Sequence, residues 1–125
     1  MSDLAIVYAV FPTAGEAHDC CRALLEQNLV ACANRLTPII SHYRWEGEIE
    51  TVEEHPVILK TTASRQQEVI DRIAQMHRHK VPAILAWRVD AAQPAHATWG
   101  RGGSPAPGIV LPPPKYVQFR VSLTP

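Results

Sequence analysis

Between Val30 and Thr62 the chain offers two long extended arms joined by one tight turn at Glu46-Gly47. Within Ser41–Glu50, alternation puts Tyr43, Trp45 and Ile49 on one face and Arg44, Glu46, Glu48 and Glu50 on the other. That period of two predicts a half-buried hairpin. Each arm has room for about 14 residues, or about 45 Å at ~3.3 Å per residue, where strands usually run ~5–6 residues. A domain of 125 residues cannot cover such a hairpin along its length. The tip carries a Tyr and a Trp, and each large apolar side chain gains about 1.5–3 kcal/mol on burial. A partner subunit is the expected place for them, so the hairpin predicts an oligomer.

The flanking segments predict what the hairpin is built into. Leu4–Phe11 is a continuous apolar run stopped by Pro12, the pattern of a central strand. Thr13-Ala14-Gly15-Glu16 fits a capping box, and Ala14, Ala17, Cys21, Leu24 and Leu25 recur at helical spacing through Gln27 or Asn28. A second box, Ser64-Arg65-Gln66-Gln67, opens a helix with Val69, Ile70, Ile73, Met76 and His77 as its inner stripe. Arg78, His79 and Lys80 suit its last turn, where cations meet the negative end of the dipole, and Val81-Pro82 ends it. Ala83–Val89 follows as another strand. The order β-α-β-β-α-β predicts an α+β, ferredoxin-like sandwich with an antiparallel sheet. Beyond it, Pro94–Trp99 suits a short helix, Gly100–Pro114 an irregular linker, and Lys115–Leu123 a fifth strand docked on a sheet edge of its own or a neighbouring subunit. The division is a domain over residues 1–99 and an appended stretch over 100–125.

Composition excludes several partners. Twelve basic residues balance twelve acidic ones, which leaves no global field for nucleic acid or an anionic membrane. No apolar run approaches the ~20 residues of a membrane span, and no basic stretch precedes the first apolar run. The cytosol (a cytoplasmic protein) is the expected address. Cys20, Cys21 and Cys32 show no CxxC spacing, which argues for thiols in or near the core rather than a disulfide framework or zinc site.

Four segments together resemble the CutA divalent-cation tolerance proteins: Leu29-Val30-Ala31-Cys32-Ala33-Asn34, Tyr43-Arg44-Trp45-Glu46-Gly47-Glu48-Ile49, Ile58-Leu59-Lys60-Thr61-Thr62, and His77 followed by Val81-Pro82. The resemblance covers about residues 4–99. It implies a ferredoxin-like protomer in a tight homotrimer with the hairpin lying across a neighbour, and a non-enzymatic role linked to copper and other divalent cations. It further implies a copper site, proposed in some members, from a first-strand Cys and two adjacent His at the end of the second helix. Those positions are here Ala9, Met76 and His77. Only His77 matches; Met76 is a soft thioether able to serve copper(I). The usual His-Pro-Tyr reads His77-Arg78-His79, and Ala83 replaces an acidic residue. The expectation is therefore no required cofactor, and at most weak copper or other divalent-cation binding at His77 and Met76.

The remaining candidates are weaker. His77 and His79 chelate one ion only if the helix has already ended. His18 and Cys21 share a helical face, while His42, His55 and His96 show no ligand partner in the sequence. Tyr43, Trp45, Glu46 and Lys60 are expected at an inter-subunit cleft or interface, as anchors or as a site for a small anionic ligand. The second option is the alternative function: a PII-like trimeric sensor, by analogy of fold and assembly. Enzymatic motifs are missing: there is no P-loop, GxSxG or HExxH, and Phe11-Pro12-Thr13-Ala14-Gly15 lacks the Arg an acylphosphatase loop needs.

Overall fold

A computed structural model describes residues 3–102. The elements are β1 (Leu4–Phe11), α1 (Ala14–Glu26), β2 (Cys32–Arg35), β3 (Ile39–Trp45), β4 (Glu48–Thr62), α2 (Gln66–Met76), β5 (Ile84–Arg88) and α3 (Pro94–Gly102). The sheet runs β2-β4-β1-β5, with β3 continuing the hairpin on β4. Every pairing is antiparallel, so the fold is the expected ferredoxin-like α+β sandwich. The candidate strand Lys115–Leu123 lies outside the described residues.

One face of the sheet carries the core. Val7 and Ala9 of β1 stand opposite Leu59 and Val57 of β4 and, with Phe11, are essentially inaccessible; they meet Ala17, Cys20, Cys21 and Leu24 of α1 and Val69 and Ile73 of α2. The inner stripe of α1 is thus shifted from the expected one: Cys20 joins it, while Ala14 and Leu25 are exposed. Thr61 also points to this face, and its hydroxyl donates to the Leu29 carbonyl at 2.7 Å, so the one buried polar side chain among the described residues is satisfied.

The hairpin differs from the expectation in two ways. Its first arm is broken at residues 36–38, because Pro38 cannot donate to a ladder. Arg35 pairs with Val57 but Ile39 pairs with Glu54, so three residues on one arm oppose two on the other, a bulge. Second, Trp45 pairs with Glu48, Arg44 with Ile49 and Tyr43 with Glu50. Paired residues share a face, so Ile49 lies with Arg44, and Glu48 and Glu50 lie with Tyr43 and Trp45, contrary to the alternation. The turn is as expected: Glu46 and Gly47 both have positive φ, 49° and 82°, as a two-residue hairpin turn requires. Beyond the Phe11–His55 pair, Glu48–Glu54 and β3 overhang β1. At ~3.3 Å per residue this overhang is about 20 Å.

The helix ends also correct the sequence expectations. Thr13 caps α1 by accepting from the Glu16 N–H at 3.2 Å, but its hydroxyl then donates to the Glu16 carboxylate at 2.8 Å, so only half a capping box forms. Arg65, not Ser64, is the N-cap of α2 and makes no side-chain cap bond; the Ser64 hydroxyl is 3.1 Å from that of Thr62. This helix stops at Met76, so His77 is extended (ψ 138°) and Arg78, His79 and Lys80 lie beyond the last turn. The third helix runs past Trp99 to Gly102, so Gly100 is helical and not the start of a linker. A Cβ on Gly100 would sit 3.0 Å from Leu4 Cδ2, so glycine lets α3 approach β1.

Candidate functional site

His77 sits where α2 gives way to the loop toward β5. Its ring stacks on Phe11, centroids 4.9 Å apart and 23° between planes. Nε2 lies 2.7 Å from the Val10 carbonyl oxygen. An oxygen of that kind only accepts, so Nε2 carries the proton and donates. Nδ1 then accepts the His79 main-chain N–H at 3.1 Å. Both nitrogens are spent, and no lone pair remains for an ion.

The other expected ligands fit a metal no better. Ala9 is fully buried and has no donor atom, and Met76 packs against the core cluster as a partly buried hydrophobe. His79 stands with its ring 5.2 Å from that of His77, close enough for a shared ion now that the helix has ended, but the Nδ1 it would need is taken. Among the described residues no group of three His, Cys, Asp or Glu side chains is placed to hold an ion. The residues present do not fit the copper site that the resemblance implies.

Around this junction the charges are arranged for structure. Arg78 reaches Glu16 at 2.9 Å. The Thr13 hydroxyl, reinforced by the Arg78 guanidinium, holds the Glu16 carboxyl below its ordinary value. Burial pushes the Cys20 thiol up to about 12, with neighbouring Cys21 adding to it, and burial raises Cys21 as well. These are unreactive core thiols; Cys32 is partly exposed.

The face of the sheet away from α1 and α2 is different in kind. Leu85 and Trp87 of β5, paired with Tyr8 and Ile6, are 62% and 49% exposed. Tyr43 and Trp45 continue this face along the hairpin, and with Tyr8, Val10, Glu50, Glu54 and the loop from His79 to Ala83 they line a cavity of about 690 Å³. Of the four residues expected at a cleft, the structure brings Tyr43 and Trp45 together. Glu46 is in the turn and does not line the cavity. Lys60 lies ten positions along β4 from Glu50, the partner of Tyr43, and instead approaches His96 of α3 at 3.2 Å. Tyr8 and His96 were not among the expected cleft residues. Tyr8 is the one residue of Leu4–Phe11 with a polar tip, which could have indicated it, but nothing in the sequence pairs residue 96 with residue 60.

A ferredoxin-like sandwich with an overlong hairpin and an uncovered apolar sheet face defines the class. Residues 5–102 match the family described as CutA1 divalent ion tolerance protein. The chain belongs to that family. It is 34% identical over 98 residues to the divalent-cation tolerance protein CutA of Thermotoga maritima, covering 78% of this chain and 96% of the relative. It is 38% identical over 96 residues to the CutA of Pyrococcus horikoshii, covering 77% and 93%. Among solved structures, CutA from Xylella fastidiosa superposes with a TM-score of 0.77 at 31% identity, covering 79% of this chain and 95% of that one. The CutA1 of Ehrlichia chaffeensis gives 0.79 at 32% identity, covering 85% and 99%.

Proposed function

We propose that this protein acts in tolerance to divalent cations, copper among them, as a non-enzymatic homotrimer. The observation that carries the role is the family match across residues 5–102, shared with relatives named for divalent-cation tolerance. Assembly is supported by the apolar groups left in water: Val81, Leu85 and Trp87 on the sheet face and its rim, and Ile40, Trp45 and Ile49 on the hairpin. Clustered exposed apolar groups of this kind mark interaction surfaces. Three copies is the number the CutA resemblance implies, and a three-fold ring closes through a head-to-tail contact between two different patches of each copy.

The role in this chain is not carried by an ion held at His77, whose nitrogens are spent within the fold. Three cysteines kept as thiols suit the reducing cytosol, although the CutA structure from Archaeoglobus fulgidus is described as that of a periplasmic protein. Among the described residues no helix is long and apolar enough to cross a membrane.

The test is genetic. Removing the protein from its host should lower growth under raised copper or zinc, and the intact chain should restore it, as should His77→Asn if its refolding is normal. Unchanged tolerance in the deletion strain would reject the role. Light scattering should give three times the 13.9 kDa chain mass, and fractionation should find the protein in the cytosol.

A further inference from the structure

A second cavity, of about 290 Å³, lies between the start of β1 and the entry to α3. Its walls are mostly apolar: Leu4, Ile6, Val89, Ala91 and Ala92. Three polar side chains, Lys60, Gln93 and His96, also line it, and no carboxylate does.

The hydrogen bonds fix what each polar group still offers. An ammonium only donates, so Lys60 Nζ gives one of its three hydrogens to His96 Nε2 at 3.2 Å. Lys60 makes no ion pair among the described residues. Two donors and a full positive charge remain, on a side chain that is only partly exposed. The main-chain N–H of His96 donates to Gln93 Oε1 at 2.8 Å, which orients that amide and leaves its NH₂ as a further donor. The cavity thus presents a cation and an amide donor above an apolar floor, with no carboxylate side chain among its lining residues to oppose them. A cation without an ion-pair partner, partly withdrawn from water, favours an anion with good geometry.

We propose that Lys60, held in place by His96 and assisted by the Gln93 amide, binds the carboxylate of a short-chain aliphatic acid whose apolar end occupies the floor formed by Leu4, Ile6 and Val89. Pockets for drug-sized ligands begin at about 300 Å³, so a cavity of this size takes a smaller molecule. Inorganic phosphate satisfies the cation but gains nothing from the apolar floor. An uncharged amide of the same length reverses that balance.

The test titrates the full chain, as it assembles in solution, with butyrate, butyramide and inorganic phosphate at constant ionic strength, following backbone amide shifts by NMR. Butyrate should give saturable shifts centred on Lys60 and residues 91–97, with butyramide and phosphate at least about tenfold weaker. Charge-assisted bonds to a partly buried lysine support a loss of that size, and Lys60→Met should weaken butyrate by about the same factor. Butyramide or phosphate binding as well as butyrate would overturn the proposal. So would undiminished butyrate binding in folded Lys60→Met, or no saturable shift at all. If Lys60→Met fails to fold, the comparison of the three ligands on the unaltered chain still decides.

Discussion

The Nε2–H of His77 donates to the main-chain oxygen of Val10 across 2.7 Å, joining the exit of α2 to the end of β1. The same ring lies on Phe11 and receives the His79 N–H, so one side chain closes three contacts at the edge of the core. A histidine in that position holds the fold and has little left with which to bind an ion.

Two measurements separate those roles. His77→Ala should lower stability by about 1–3 kcal/mol, the range for a hydrogen bond whose buried partner is left unsatisfied, read from the urea midpoint at unchanged m. Copper and zinc uptake should be the same in the variant as in the parent protein. A tight stoichiometric site lost in His77→Ala would show that the ring swings out to bind metal.

Trp45 stands three residues from its cross-strand partner Glu48 on a hairpin that overhangs β1, and it is 49% exposed. Its replacement by Ala should weaken assembly by about 2 kcal/mol or more, as for a buried interface anchor. Sedimentation across a dilution series measures this. A variant that dissociates at the same concentration as the parent would show that the indole stays in water.

Much of this architecture is legible in the residues because local and global demands agree there. Leu4–Phe11 is apolar at every position, and the observed strand has those bounds. Glu46-Gly47 supplies the positive φ values that a tight turn needs. Ile49 faces away from Trp45 because alternation does not carry through the turn: pairing across two turn residues matches odd numbers on one arm with even numbers on the other. Pro38 was a visible warning of the bulge that interrupts the first arm. Gly100 resembles a linker residue in sequence, yet its missing side chain serves packing against Leu4. At the site, Tyr43 and Trp45 were identifiable as aromatics near a turn. The Lys60–His96 contact was not, since it depends on α3 folding back over β1 and β4.

Acid should weaken the junction between α1 and the loop after α2. The Glu16 carboxyl is held below its ordinary value of 4.5, first by Thr13 and then by Arg78. A carboxyl depressed in the folded state stabilises the fold above its unfolded value, and that contribution is lost as pH falls through the folded one. Glu16→Gln should therefore flatten the stability–pH curve below about pH 4.5 while leaving its shape near neutrality. Urea midpoints collected between neutral and acid pH test it, and parallel curves for parent and variant would remove Glu16 from the acid limb.

The thiols should divide by burial. Cys20 and Cys21 are 2% and 6% exposed, and burial raises both thiols, Cys20 to about 12. The thiolate is the nucleophile, so at pH 8 only about one part in ten thousand of a thiol with that value is reactive, before access is considered. Cys32 is partly exposed on β2, its Sγ 3.8 Å from Asn34 Oδ1. Iodoacetamide at pH 8 should therefore label Cys32 first. Cys20 and Cys21 should react at a rate set by opening of the helix layer, accelerating with urea in step with loss of structure. Mass spectrometry of peptides carrying residues 20, 21 and 32 reads all three positions. Equal labelling of Cys20 and Cys32 in native buffer would mean that α1 opens far more readily than its packing against Val7, Leu59 and Ile73 implies.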